Sequence, residues 1–137
     1  MALQNTVLVA VAAFTALIVA VAMILNPRSI RTYGQRSCTG RAWKRAFPHA
    51  PKQEIRRFLY LFVDAFAFPK KRALCFAPSD RILQIYNSLY PIKGWPDALE
   101  LETLALRLET SYGISFREFW REDLTIGELF SKTKANP

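Results

Sequence analysis

The sequence predicts an all-α protein in which a single N-terminal transmembrane helix precedes a small helical domain. Residues 3–25 carry no charged side chain, and 51% of the 137 residues are hydrophobic, too many for a disordered chain. Helix-start signals recur in the second half, and no stretch shows the alternation of a strand bounded by turn residues. Beyond a membrane segment about 110 residues remain, enough for one small domain.

The N-terminal apolar run is long enough for a membrane span. Its 23 residues, at about 1.5 Å each, reach about 34 Å, against a hydrocarbon core of about 30 Å. A cleaved signal peptide is the alternative. However, no Lys or Arg precedes the run, and the run exceeds the usual h-region of about 7–15 residues. We therefore expect residues 1–26 to form an uncut transmembrane anchor.

Basic residues after the run predict its orientation. The segment 28–45 holds six basic side chains and no acid: Arg28, Arg31, Arg36, Arg41, Lys44 and Arg45. Because such residues stay on the cytoplasmic side, we expect a single-pass protein of a bacterial inner membrane, with its N-terminus outside and its domain in the cytoplasm. Cys38 and Cys75 are then expected to be reduced thiols.

The positive charge is concentrated in the first half of the chain after the anchor. Residues 28–72 hold 12 Lys and Arg against two acids, whereas residues 73–137 hold seven against nine. Nucleic-acid binding needs a basic face on a folded domain, so no nucleic-acid partner is expected. Two roles remain open for the six basic residues named above, contact with anionic lipid head groups and topology determination alone.

Residues 27–50 are predicted to be a basic juxtamembrane linker, and residues 51–137 a helical domain. Gly and Pro interrupt the linker, and Trp43 and Phe47 are expected at the membrane interface. Helix 52–66 has an apolar stripe. It is either the first core helix or a helix that lies on the membrane surface.

Three capping boxes predict the later helix starts, since each pairs a capping side chain with a Glu three residues on. They are Asp97 with Glu100, Ser115 with Glu118, and Thr125 with Glu128. The predicted helices cover 98–111, 116–122 and 126–132. Ser79 is predicted to cap a further helix over 80–89.

Helix 98–111 has two apolar stripes. The broader one runs through Leu104 and Leu108 and should face the core. Leu99 and Leu106 lie on the opposite side, edged by Glu102 and Glu109. An apolar pair on the solvent side of a helix is a candidate docking face. The alternative is that another helix of the same domain covers it.

The segment from Asp80 to Ser131 resembles the acyl carrier proteins. The resemblance rests on three motifs: Asp97-Ala98-Leu99-Glu100, Tyr112-Gly113-Ile114 and Thr125-Ile126-Gly127-Glu128-Leu129. It implies a four-helix bundle for the domain. It also implies contact with basic partner proteins through five positions: Leu99, Glu100, Glu102, Leu106 and Glu109.

The chain departs from that family at the attachment site. The family attaches phosphopantetheine to a serine, but Ala98 occupies this position and has no nucleophilic oxygen. No cofactor is therefore expected. One histidine and two cysteines exclude a multi-histidine or four-thiolate metal site, and no catalytic constellation is present.

The sequence thus predicts a membrane-anchored, non-catalytic adaptor, similar to a carrier protein, that docks a protein partner at the cytoplasmic membrane face through helix 98–111. The alternative is an accessory or regulator of acyl-transfer enzymes in lipid metabolism. An enzyme in its own right is the third and least supported hypothesis.

Overall fold

A computed structural model describes residues 2–25, 33–89 and 99–135, and they are mainly helical. The helices are α1 (Ala2–Leu25), α2 (Gly40–Ala46), α3 (Lys52–Ala65), α4 (Ile82–Leu89), α5 (Leu99–Tyr112), α6 (Phe116–Phe119) and α7 (Ile126–Ala135), with a 3-10 helix, η1, at Lys70–Cys75. The predicted helical character of the domain is confirmed.

The predicted transmembrane anchor is wrong. Within the described part of the chain, no helix is both long enough and apolar enough to cross a membrane. The side chains described in α1 are those of residues 6–21, and all of them are exposed. The assignments that depended on the anchor, a single-pass protein of the inner membrane with its N-terminus outside, are corrected with it.

Residues 33–50 pack against the helical domain instead of forming a loose linker. Trp43 is 1% exposed, and its indole N–H donates to the carbonyl oxygen of Phe76 at 2.8 Å. The Thr39 hydroxyl lies 2.8 and 2.7 Å from the carbonyl oxygens of Leu74 and Phe76. Because a buried indole needs an acceptor, this hydrogen bond lets Trp43 fill the core. The expected membrane-interface position of Trp43 is thereby corrected.

The α3 helix supplies the largest part of the core, and its predicted stripe is confirmed. Its inward face consists of Ile55, Phe58, Leu59, Phe62, Val63 and Ala65, all of them buried. Pro51 precedes its first turn, where a missing N–H costs nothing. The helix packs against η1 and α5. Of the two predicted positions, in the core or on the membrane surface, the structure shows the first.

Aromatic rings join α2, α3 and α7 into one core. The ring of Phe130 on α7 lies 5.8 Å from Trp43, 4.9 Å from Phe47 and 5.2 Å from Phe58, measured between centroids. The first two contacts are edge-to-face, the arrangement that the ring quadrupoles favour. Buried residues of α4 and α5, including Ile85 and Leu104, belong to the same core.

The segments before α4 and α7 are joined through their backbones. The N–H of Ile82 donates to Leu124 at 3.0 Å, and the N–H of Ile126 donates to Asp80 at 2.9 Å. The N–H of Gly127 donates to the carbonyl oxygen of Pro78 at 2.8 Å. These three bonds fix the entry to α7 against the entry to α4.

The capping predictions have different outcomes. The Thr125–Glu128 box is confirmed, since the N–H of Glu128 donates to the Thr125 hydroxyl at 3.2 Å and the N–H of Thr125 donates to the Glu128 carboxylate at 2.9 Å. Ser115 precedes α6 without a side-chain capping bond, and Asp97 lies outside the described residues.

The start of α4 also differs from the prediction. It begins at Ile82, not at 80. The carboxylate of Asp80 instead accepts from the N–H of Ala77 and from Arg36, both at 2.7 Å. That ion pair raises the pKa of Arg36, mainly through the hydrogen bond to Asp80, so Arg36 belongs to the fold.

Replacing Trp43 tests whether residues 33–50 belong to the folded unit. We expect Trp43→Ala to destabilise the domain by about 3–5 kcal/mol, because it opens a large cavity and removes the donor to Phe76. The control Tyr60→Ala removes an exposed aromatic ring and should change the free energy of unfolding by less than about 0.5 kcal/mol. Urea unfolding of the full-length variants measures both. If Trp43→Ala is as stable as the unmodified chain, residues 33–50 contribute nothing to the stability of the domain.

Two glycines provide a matched pair of substitutions. A Cβ at Gly127 would lie 2.8 Å from the carbonyl oxygen of Pro78, whereas one at Gly40 would meet its nearest atom at 3.5 Å. We expect Gly127→Ala to cost about 1–3 kcal/mol through overpacking. In contrast, Gly40→Ala should be neutral or stabilising by up to about 1 kcal/mol. Thermal melting of the two variants compares them, and an unchanged melting temperature for Gly127→Ala would contradict the close approach.

Candidate functional site

The α5 helix buries one side and exposes the other. Leu104 and Leu108 are fully buried, whereas Leu99 is 56% exposed and Leu106 is 65% exposed. At about 100° per residue, Leu99, Glu102, Leu106 and Glu109 fall within about 80° of one another around the helix. Within the described chain no other helix covers this side. We call these four residues the docking face.

A groove runs beside the docking face, between α5 and α6. It has a volume of about 710 Å³. Its α5 wall is formed by Leu101, Glu102, Ala105, Leu106 and Glu109, and its other wall by Ser115, Phe116, Arg117 and Trp120. The rings of Phe116 and Trp120 lie 5.4 Å apart. The groove therefore places a half-buried indole beside an exposed leucine.

The turn after α5 creates the groove. Gly113 adopts a positive φ of 66° and its N–H donates to the carbonyl oxygen of Glu109 at 2.9 Å. A left-handed residue just after a helix is the usual place for glycine, since a Cβ is disfavoured there. The chain then reverses, buries Ile114 and Phe116, and lays α6 alongside α5.

Two acidic side chains lie beside the apolar part of the docking face. Glu102 and Glu109 are exposed, and neither carboxylate has an ion-pair partner among the described residues. Seven residues, or about 10.5 Å along the helix, separate them, with Leu106 between. Arg117 adds one positive charge on the α6 wall. Arg107, which follows Leu106, is held by Asp64 of α3 and so does not neutralise these carboxylates.

The structure separates the predicted docking residues into two groups. Leu99, Glu102, Leu106 and Glu109 share the exposed side, whereas Glu100 is only partly exposed and points away from the docking face, about 100° around the helix from Leu99. The attachment position, Ala98, lies outside the described residues. Phe116 and Trp120 were missed as members of the site. Their i, i+4 spacing around a short helix was the available signal.

The six basic residues that were predicted to lie at a membrane surface differ from one another in their surroundings. Arg28 and Arg31 lie outside the described residues. Arg36 pairs with Asp80 and stacks over the ring of Tyr33, 4.7 Å from its centroid. Arg41, Lys44 and Arg45 are exposed on α2. Arg36 therefore stabilises the fold.

Metal-ligating groups are dispersed over the part of the chain that the structure describes. There, no group of three or more His, Cys, Asp or Glu side chains could hold a metal ion. Cys38 is exposed and Cys75 is half-buried, and both are free thiols.

Comparison with known proteins found no matching family model, curated protein or solved structure. The resemblance of Asp80–Ser131 to the acyl carrier proteins therefore stays a prediction that rests on its three motifs.

Two leucines two positions apart test the assignment of the docking face. Leu104→Glu should destabilise the domain by at least about 3 kcal/mol, because it places an unpaired carboxylate in the core. Leu106→Glu should change the free energy of unfolding by less than about 0.5 kcal/mol, because its side chain is exposed. Chemical unfolding of the full-length chain measures both. If Leu106→Glu is as damaging as Leu104→Glu, Leu106 belongs to the core.

Proposed function

We propose that this chain is a non-catalytic adaptor that binds a protein partner through the docking face of α5 and the adjoining groove. The observation that carries the proposal is Leu106, which is 65% exposed although Leu104 and Leu108 of the same helix are fully buried. A folded domain gains nothing from such exposure, whereas an interface uses apolar side chains as its anchors.

The chemistry of the site specifies the complementary surface. Leu106 and the half-buried Trp120 offer apolar area, and aromatic anchors of this kind dominate the energy of many interfaces. Glu102 and Glu109 flank Leu106 from opposite directions along α5. The partner that fits therefore carries an apolar side chain between two basic groups spaced by about 10 Å.

The resemblance to the acyl carrier proteins supports the same surface. In that family the positions that correspond to Leu99 and Leu106 help to contact basic partner proteins. The attachment serine is replaced by Ala98, so the recognition surface is kept without the phosphopantetheine arm. A protein of this kind binds its partner without carrying an acyl group. If the partner is an acyl-transfer enzyme, the adaptor acts as its accessory or regulator.

Variants at the docking face test the proposal. Tagged full-length protein would be used to capture partners from extracts of its own cells, and the partner would then be purified for direct binding. We expect Leu106→Glu to weaken the complex at least about tenfold, which corresponds to about 1.4 kcal/mol. The control Tyr60→Glu introduces the same charge on α3 and should bind normally. A partner that binds Leu106→Glu as tightly as the unmodified chain would refute the docking face.

Charge reversal separates electrostatic attraction from apolar contact. The double variant Glu102→Lys, Glu109→Lys should slow association with the purified partner, and the defect should shrink as salt is raised, because rim charges act mainly on the association rate. The control is Glu118→Lys with Glu122→Lys, which changes the net charge equally through two exposed acids outside the groove. Biolayer interferometry at two salt concentrations measures the rates. Equal association rates for the two double variants would show that net charge alone matters.

A further inference from the structure

A second groove, here called the basic groove, lies between α2 and α3. It has a volume of about 330 Å³, at the lower end of the range of about 300–1,000 Å³ for small-molecule sites. Its walls are mostly apolar and include Trp43, Ile55 and Leu74. It shares no lining residue with the groove between α5 and α6, so it is a separate feature of the surface.

Four basic side chains line the basic groove, two from each helix. Arg41 and Lys44 stand three apart on α2, and Lys52 and Arg56 stand four apart on α3. Both spacings place the members of a pair on one face of their helix. The two helices therefore present their basic faces to the same opening, and a small ligand there meets positive charge from both sides.

No carboxylate among the described lining residues offsets this charge. Glu54, which lies on α3 between Lys52 and Arg56, pairs instead with Lys134 of α7. Lys44 donates to the carbonyl oxygen of Pro48 at 2.6 Å, an interaction that keeps its charge. Like charges three or four positions apart on a helix destabilise it slightly. An anion seated among them would relieve this repulsion.

The floor of the basic groove defines the other half of the ligand. Trp43 and Ile55 are almost fully buried, and with Leu74 they give the groove an apolar lining beside the basic side chains. A small polar anion would leave these walls without a contact, and an uncharged hydrocarbon would make no use of the cations. The fitting ligand joins both parts, an apolar chain and an anionic group at its end.

We propose that the basic groove binds an amphipathic anion, a short hydrocarbon chain that ends in a carboxylate or a phosphate monoester. This site goes beyond the proposed adaptor function and does not depend on it. The chain packs against Trp43, Ile55 and Leu74, and the anionic end group is held among Arg41, Lys44, Lys52 and Arg56.

Protection of a thiol gives a readout at the site itself. Cys38 is exposed and lines the basic groove, whereas Cys75 does not line it. Full-length protein would be alkylated with iodoacetamide while decanoate or decyl phosphate is titrated, and peptide mass spectrometry would follow both thiols. We expect saturable slowing at Cys38 and no change at Cys75. Acetate, inorganic phosphate and decanol test each half of the ligand alone and should not protect Cys38.

A charge-neutral variant completes the test. Arg41→Gln with Arg56→Gln should weaken protection by decanoate and decyl phosphate about tenfold, through the loss of two charge contacts. It should also melt no lower than the unmodified chain, because it relieves repulsion. The control Lys70→Gln with Lys71→Gln removes two exposed charges of η1 and should leave protection unchanged. Protection by either anion supports the site, and any difference between them identifies the end group.

The opposite results are equally definite. Equal protection by decanol and by the anions would show adventitious binding of hydrocarbon and would overturn the proposal. Absence of saturable protection by both anions would do the same. Neither result would bear on the proposal for the docking face, because Leu106 and its neighbours lie outside the basic groove.

Discussion

The hydrogen bond between the Trp43 indole and the carbonyl oxygen of Phe76 is the contact on which the arrangement of this domain depends. It spans 33 positions of the chain and lies in the core. Without it, the largest side chain of the core would hold an unsatisfied donor. With it, α2 packs against α3 and α7, and Phe130 closes against Trp43, Phe47 and Phe58. The basic groove exists because α2 is held there.

The helices of the second half could be predicted because their signals are local. Periodicity identified the buried side of α3 and both sides of α5, and the Thr125–Glu128 pair marked the start of α7 through bonds between residues three apart. The role of residues 33–50 could not be predicted in this way. Trp43 acquires its position from Phe76 and Phe130, which are distant in sequence, while the glycines and prolines nearby indicated a linker. Likewise, charge-free composition over residues 3–25 predicted a membrane span, a property that the described helix does not confirm.

The candidate site also has a part that local sequence signals predict and a part that depends on tertiary contacts. Leu99, Glu102, Leu106 and Glu109 follow from the period of one helix, so their common exposure was predictable. The groove beside them was not, because it requires the reversal at Gly113 and the packing of Phe116 against the core. Trp120 then takes its place in the groove only through tertiary structure. Glu100 is acidic, like Glu102 and Glu109. However, it lies about 100° around the helix from Leu99 and therefore does not share the docking face.

The two grooves differ in the sign of the charged side chains that line them. In the basic groove four cations face one opening without an acid among the described lining residues, and on α5 two carboxylates flank an exposed leucine. Arg107 and Lys134 show that the chain does pair its charges elsewhere, with Asp64 and Glu54. Unpaired like charges and exposed leucine both lower the stability or solubility of a free domain. The cations of the basic groove are suited to an anion and the acidic leucine face is suited to a basic protein surface, and on this basis we propose a binding role for each.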